Sequence, residues 1–231
     1  VEQLEREQLD NAVWHALRGS HHTLAEACGT ALRYRSSVSP FAGIPDTADA
    51  AAWSDLAELV GAGNIAVLFR DEVNAPTGWN ELDRIPTYQM SAETVTGGPM
   101  ADAELLTTDD VADMLALVER SKPGPLAAET ILMGSYFGWR NRGRLVAMAG
   151  ERLRAGGLTE ISAICTDADH RGHGLASGLT RHLVAHIRGR GEEPFLHVAM
   201  ENEPAHRLYR QLGFVERREV VASILQAPVD G

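Results

Sequence analysis

The 231-residue sequence predicts an α/β (α+β) chain: a mixed, mostly antiparallel sheet flanked by helices, with an additional N-terminal α/β half. Three observations carry this. Strand-like runs follow one another without intervening helices in "YFGWRNRGRLVAMAGERLR" and "GLTEISAICT", as an antiparallel meander requires. After them strand and helix alternate, which calls for a crossover connection. Gly97-Gly98-Pro99 in "TGGPMAD" breaks regular structure and sets a boundary between residues 1–98 and residues 99–231.

Taken in order, "LDNAVWHALRG" and "DAAAWSDLAELVGAG" space apolar residues by three and four. In the second, Trp53, Leu56, Leu59 and Val60 share one side and Gly61 stands near the end, so both read as amphipathic helices. "NIAVLF" and "TYQMSAETV" are strand candidates. Beyond the boundary, "TTDDVADMLALVERSKPGP" offers a Thr/Asp start, an apolar set of Val111, Met114, Leu115 and Val118, and a Pro-Gly-Pro stop. Two strands joined at Asn141-Arg142-Gly143 come next, then "GLTEISAICT", a glycine loop with its helix, the strand "PFLHVAM", the helix "EPAHRLYRQLG" and a terminal strand pair in "FVERREVVASILQ".

Composition narrows the function. A formal net charge of -11 argues against a protein that gains affinity by neutralising phosphates, so no nucleic-acid partner is expected. Cys28 and Cys165, the two cysteines, have no metal-ligand or redox spacing and read as thiols of a reducing compartment. The start "VEQLEREQLD" lacks the apolar core of a signal peptide. No apolar run approaches the roughly 20 residues needed to span a bilayer, so the expectation is a cytoplasmic protein without a membrane partner.

The richest local signal is Arg171-Gly172-His173-Gly174-Leu175-Ala176, where a strand hands over to a helix. A helix start presents unpaired N–H groups and the positive end of its dipole, a seat for an anion. Gly172 and Gly174 have no Cβ and Ala176 is nearly as small, so a phosphate can approach the backbone, with Arg171 adding charge at the rim. The stripe Leu175, Leu179, Leu183, Val184 and Ile187 anchors the helix behind the loop. The glycines alone would equally serve a plain chain reversal. No Gly-Lys-Ser/Thr ending makes a P-loop, and Ser177 breaks GxGxxG.

Arg171-x-x-Gly174-x-Ala176 after "EISAICT" resembles the acyl-coenzyme A pyrophosphate loop of the GNAT superfamily of N-acetyltransferases. "ENEPAHRLYRQLGF" is similar to that superfamily's next signature, in Asn202, Ala205, Leu208, Tyr209, Gly213 and Phe214. The match covers roughly residues 101–226. "AMAGERLR" and "TEISAICTDADHRGHGLA" further resemble a bacterial branch related to glycine N-acyltransferases, in which a less regular N-terminal half precedes the catalytic domain.

The resemblance implies acetyl-coenzyme A as co-substrate, no metal, and direct attack by a primary amine in a ternary complex. Ile164, Cys165 and Thr166 would offer backbone groups to the pantetheine arm, while Arg171, Gly172, His173, Gly174, Leu175 and Ala176 would hold the pyrophosphate. Asn202 would contact the pantetheine or cap its helix. Tyr209 would protonate the leaving thiolate, since a phenol is protonated at neutral pH. Glu160 stands where the branch places its base, and would otherwise be a salt-bridged strand residue. Cys165 is expected to pack as a small hydrophobe and not to act as nucleophile.

His170 and His173 with Asp167 and Asp169 look superficially like a metal cluster but lie in a loop, and no metal site is expected. His197 faces the cleft or the core; strand alternation does not decide which. The acceptor would be the amine of a small molecule, amino acid or peptide, its site shaped in part by "SKPGPLAAETILMGSYFGW". The N-terminal half would shape that site, mediate a homodimer, or be a degenerate relative of the catalytic domain. A catalytically silent acyl-coenzyme A sensor is the alternative, against which the presence of both Tyr209 and Asn202 argues.

Overall fold

A helix forms where Asp49 can close its start. In Ala50–Val60 (α2) the Asp49 carboxylate accepts the Ala52 N–H at 3.0 Å, and Ala52, Trp53, Leu56 and Val60 turn one face inward. The structure, a computed structural model, describes residues 7–121 and 124–229; the first six residues of the N-terminal reading, and Lys122 and Pro123 of the Pro-Gly-Pro stop, lie outside them. Two compact units divide the chain. The first holds residues to Tyr88, Arg154–Gly156 and the residues from Arg218 on; the second holds Gln89–Leu153 and Gly157–Arg217. The chain thus crosses between units more than once, whereas a single break near Gly97-Gly98-Pro99 was expected. The terminal strand explains part of this, because its end pairs with a strand of the first unit.

In the first unit, Ala12–Arg18 (α1) leads to a small antiparallel sheet of Ala25–Cys28 (β1), Ala31–Tyr34 (β2) and Ala42–Gly43 (β3). After α2 comes Ile65–Arg70 (β4), which touches the chain before β3 through a parallel bridge, Phe41 to Val67. Asn80–Ser91 (β5) begins in this unit. Ile44, Trp53, Leu56, Leu68 and Leu225 are among its core.

The second unit has mostly longer elements. Glu104–Leu106 (β6) precedes Val111–Ser121 (α3), whose start is fixed by a Thr107/Asp110 capping box. Its inward face is Met114 and Leu117, with Val111, Leu115 and Val118 only half-buried. Tyr136–Asn141 (β7), Arg144–Ala155 (β8) and Leu158–Thr166 (β9) form the meander. Leu175–Gly189 (α4), Glu193–Ala199 (β10), Glu203–Leu212 (α5) and Val215–Gln226 (β11) follow. The expected terminal strand pair is thus one continuous strand, because no turn residue interrupts it. Its residues 221–226 run antiparallel to β4.

The larger sheet has the order β4-β11-β5-β10-β9-β8-β7-β6. It is mixed: β9 and β10 are parallel, while β6, β7 and β8 alternate in direction. Leu106, Met114, Leu117, Tyr136, Leu145, Met148 and Cys165 form one core cluster on it. Among the described residues, no helix is long and apolar enough to cross a membrane.

Candidate active site

The site begins where two parallel strands stop pairing. Leu158, Thr159 and Glu160 of β9 stand opposite Glu193, Pro194 and Phe195 of β10; beyond that register β9 runs on to Thr166 and β10 to Ala199. Ala163 sits in this stretch with φ +52°, a left-handed backbone that a residue with a Cβ adopts only under constraint. A cleft of about 850 Å³ opens at the end of β9. Its walls are the end of β9, the following loop, the start of α4 and one side of α5.

The glycine loop closes one end. Gly174 is the N-cap of α4 with φ +77°, and Gly172 has φ +80°. Among the described residues no side chain caps α4, in contrast to the carboxylate at the start of α2. Among the described residues, a Cβ at either glycine would meet no atom within 4 Å, so it would project into open space at the loop. The turn is held from behind by the buried Asp167, which accepts from Arg120 Nε at 3.0 Å and Arg144 Nη2 at 2.7 Å. Leu175, Leu179, Leu183, Val184 and Ile187, all buried, seat α4 on the sheet.

Three polar atoms in the cleft wall are buried and have no hydrogen-bond partner among the described residues: Ser121 Oγ, Thr166 Oγ1 and His170 Nδ1. The Asn141 amide lies 2.9 Å from His170 Nε2; with that amide donating, the ring proton is on Nδ1. Unsatisfied buried donors are costly unless a ligand completes them. His170 was not among the expected site residues, and Ser121 was expected only as the first residue of the stretch that shapes the acceptor site. The sequence signal for His170 was its place in the loop, where it read only as part of a superficial metal cluster.

Ile164, Cys165, Thr166, Arg171, Gly172, Gly174, Leu175, Ala176, Asn202 and Tyr209 all line the cleft. Of the other expected residues, His173 is exposed with its Nδ1 3.3 Å from the His170 carbonyl, and Glu160 is fully buried away from the lining. Burial would raise the Glu160 pKa, but Arg152 and His197 outweigh it and hold the carboxyl down to about 2. Both its oxygens are engaged: Oε2 by Arg152 Nε at 2.8 Å, and Oε1 by Arg152 Nη2 and by His197 Nδ1 at 2.7 Å. Of the two roles expected for Glu160, this geometry is that of the salt-bridged strand residue.

Tyr209, on α5, is buried except for a small part of its surface, and burial followed by the nearby Cys165 pushes its phenol up. Among the described residues its hydroxyl makes no hydrogen bond to another protein group. The same burial pushes the Cys165 thiol up to about 12, too high for a useful nucleophile at neutral pH. Asp167 and His170 are engaged as described, and among the described residues no group of three or more His, Cys, Asp or Glu side chains is placed to hold a metal.

The FR47-like protein family matches residues 136–222, from the start of β7 into β11. A solved structure assigned to the GNAT family, from Novosphingobium aromaticivorans, is 38% identical over 94% of this chain and 97% of that one, with a TM-score of 0.86. The chain belongs to the GNAT family. More distant GNAT structures share the fold. A GCN5-related N-acetyltransferase from Kribbella flavida is 18% identical, covering 98% of this chain and 95% of its own, with a TM-score of 0.59. A GCN5-related N-acetyltransferase-like protein from Streptococcus suis is 16% identical, covering 97% and 98%, with a TM-score of 0.57. No curated protein matches the chain.

In this GNAT chain Asn202 serves two surfaces at once. Its Oδ1 accepts from Ala205 N at 3.3 Å as the N-cap of α5, and the residue lines the cleft. Asn202→Ala should cost about 1 kcal/mol in folding stability through the cap. Asn202→Ser keeps a cap acceptor but shortens the side chain. Acetyl-coenzyme A affinity should fall severalfold in both variants, measured by calorimetry; a loss in Ala alone would make the residue a cap only.

Proposed function

We propose that this protein is an acetyl-coenzyme A-dependent N-acetyltransferase, in which a primary amine attacks the thioester directly in a ternary complex. One observation carries the reading: the uncapped start of α4, framed by Gly172, Gly174 and Ala176, opens onto the same cleft as the Tyr209 phenol. The loop N–H groups and helix dipole suit the pyrophosphate. The parted strands leave backbone groups of residues 164–166 for the pantetheine arm, and Ser121, Thr166 and His170 supply buried polar groups for the ligand to satisfy.

In the reaction the amine nitrogen forms a bond to the thioester carbon and the carbon–sulfur bond breaks. The departing thiolate takes the Tyr209 proton, and the phenolate is reprotonated from solvent. Burial pushes the phenol up, so Tyr209 is protonated at neutral pH and has a proton to give. The proton shed by the amine passes to water, since Glu160 is buried with both oxygens engaged. The acceptor is an amine of a small molecule, amino acid or peptide, and the motifs "AMAGERLR" and "TEISAICTDADHRGHGLA" favour the branch related to glycine N-acyltransferases.

Calorimetric titration with acetyl-coenzyme A, coenzyme A and the pantetheine fragment tests this. Micromolar binding that requires the pyrophosphate, followed by turnover on an amine panel, is the expected result. Binding without turnover on any amine would favour a silent sensor, and no binding of any ligand would reduce the loop to a turn.

A further inference from the structure

Five side chains of the second unit form one hydrogen-bonded row across five neighbouring strands. In sheet order they are Arg152 on β8, Glu160 on β9, His197 on β10, Gln89 on β5 and Arg217 on β11. Arg152 donates to Glu160, His197 Nδ1 lies 2.7 Å from Glu160 Oε1, Gln89 Nε2 lies 3.0 Å from His197 Nε2, and Arg217 Nη1 donates to Gln89 Oε1 at 2.6 Å. Glu160 and the Gln89 residue are 0% and 1% exposed, and the His197 side chain 2%.

The chemistry of the row fixes its protons. A guanidinium only donates, so the Gln89 carbonyl oxygen must face Arg217 and its NH₂ must face His197. His197 Nε2 therefore accepts and carries no proton. The imidazole is neutral, with its single proton on Nδ1 directed at Glu160. Burial lowers the His197 pKa, Arg152 and Arg217 lower it further, and Glu160 acts in the opposite direction.

None of the five lines the cleft, but the row crosses β9 and β10 where their pairing ends. Glu160 belongs to the last matched pair of β9 and β10, opposite Phe195, and His197 lies two residues further along the diverging strand. His197 is half-buried as a residue although its side chain is almost fully covered, so its exposure lies in the backbone.

We propose that this row is a positioning device: Arg217 and Gln89 lock His197 as the Nδ1–H tautomer, and the His197–Glu160 bond ties β10 to β9 at the point where they part. It thereby sets the width of the cleft for the pantetheine arm. This rests on the acyl-coenzyme A reading of the cleft. It makes Glu160 a strut and leaves it no part in accepting the amine proton.

Side-chain ¹⁵N NMR of the full chain reads the lock without any ligand. The wild type at pH 7 should show a protonated Nδ1 and a bare Nε2 for His197. Gln89→Glu places an acceptor-only group against Nε2 and should convert His197 to imidazolium at the same pH. An Nε2–H tautomer or an imidazolium in the wild type would overturn the lock. Calorimetry then reads the strut. Gln89→Met and His197→Asn, each checked for a cooperative melt, should bind acetyl-coenzyme A about threefold and at least about tenfold more weakly. Wild-type affinity in both would overturn the positioning role, whereas a wild type that binds no acetyl-coenzyme A would overturn the reading of the cleft and leave the NMR result standing. In turnover, Glu160→Gln should keep the acidic limb of the pH–rate profile while lowering the thermal midpoint; loss of that limb would restore Glu160 as the base and overturn the strut.

Discussion

Tyr209→Phe should lower turnover by about 10²- to 10³-fold while leaving the acetyl-coenzyme A dissociation constant within about twofold of wild type. The substitution removes one oxygen and keeps the ring, which packs edge-on against Phe214 with centroids 5.9 Å apart, so the core around α5 is preserved. The hydroxyl has no hydrogen bond to lose among the described residues, which limits the structural cost. What disappears is a proton donor at the place where a thiolate would leave. The split between turnover and affinity is therefore diagnostic. An acyl donor with a better leaving thiol should recover part of the loss, because a weakly basic thiolate needs less help to depart. Equal turnover in the Tyr209→Phe variant and the wild type would move the acid elsewhere in the cleft.

The residues that line the cleft at the glycine loop were legible because their demands are local. Gly172 and Gly174 take φ near +80°, which favours glycine, and the stripe behind them has helical spacing, so both can be read from a short stretch of chain. Strands were legible where runs were long and separated by turn residues, as at Asn141-Arg142-Gly143. The sheet of β1, β2 and β3 was not, because strands of four, four and two residues carry too little pattern to register. The first half of β5 was missed for another reason: its residues are mostly exposed, so hydrophobicity does not mark them. "FVERREVVASILQ" was read as a strand pair, whereas Val215–Gln226 is one strand. The row through His197 could not be read at all. Its members are at positions 89, 152, 160, 197 and 217, and only strand order and register bring them together. Glu160 shows the consequence: its position on the strand suggested a base, while its partners, invisible in sequence, make it a buried counter-ion.

Gly174→Ala should weaken acetyl-coenzyme A binding by about tenfold or more, and Gly174→Val by about a hundredfold. Two effects add. At φ +77° an L-residue is disfavoured by roughly 1–2 kcal/mol, which by itself reduces the population of the binding-competent loop about tenfold. The new Cβ would also occupy space that no atom of the described residues fills, at the start of α4, and the branched Val would fill more of it. The fold should survive, because α4 is held on the sheet by Leu179, Leu183, Val184 and Ile187, all fully buried and remote from the loop. The pantetheine fragment, which lacks the pyrophosphate, supplies the control. If the loop seats the pyrophosphate, the fragment should bind wild type and Gly174→Ala alike. If both ligands lose affinity equally, the substitution has deformed the whole cleft. Unchanged affinity for acetyl-coenzyme A would mean that the ligand does not approach the backbone here, and the uncapped helix start would then have no part in binding.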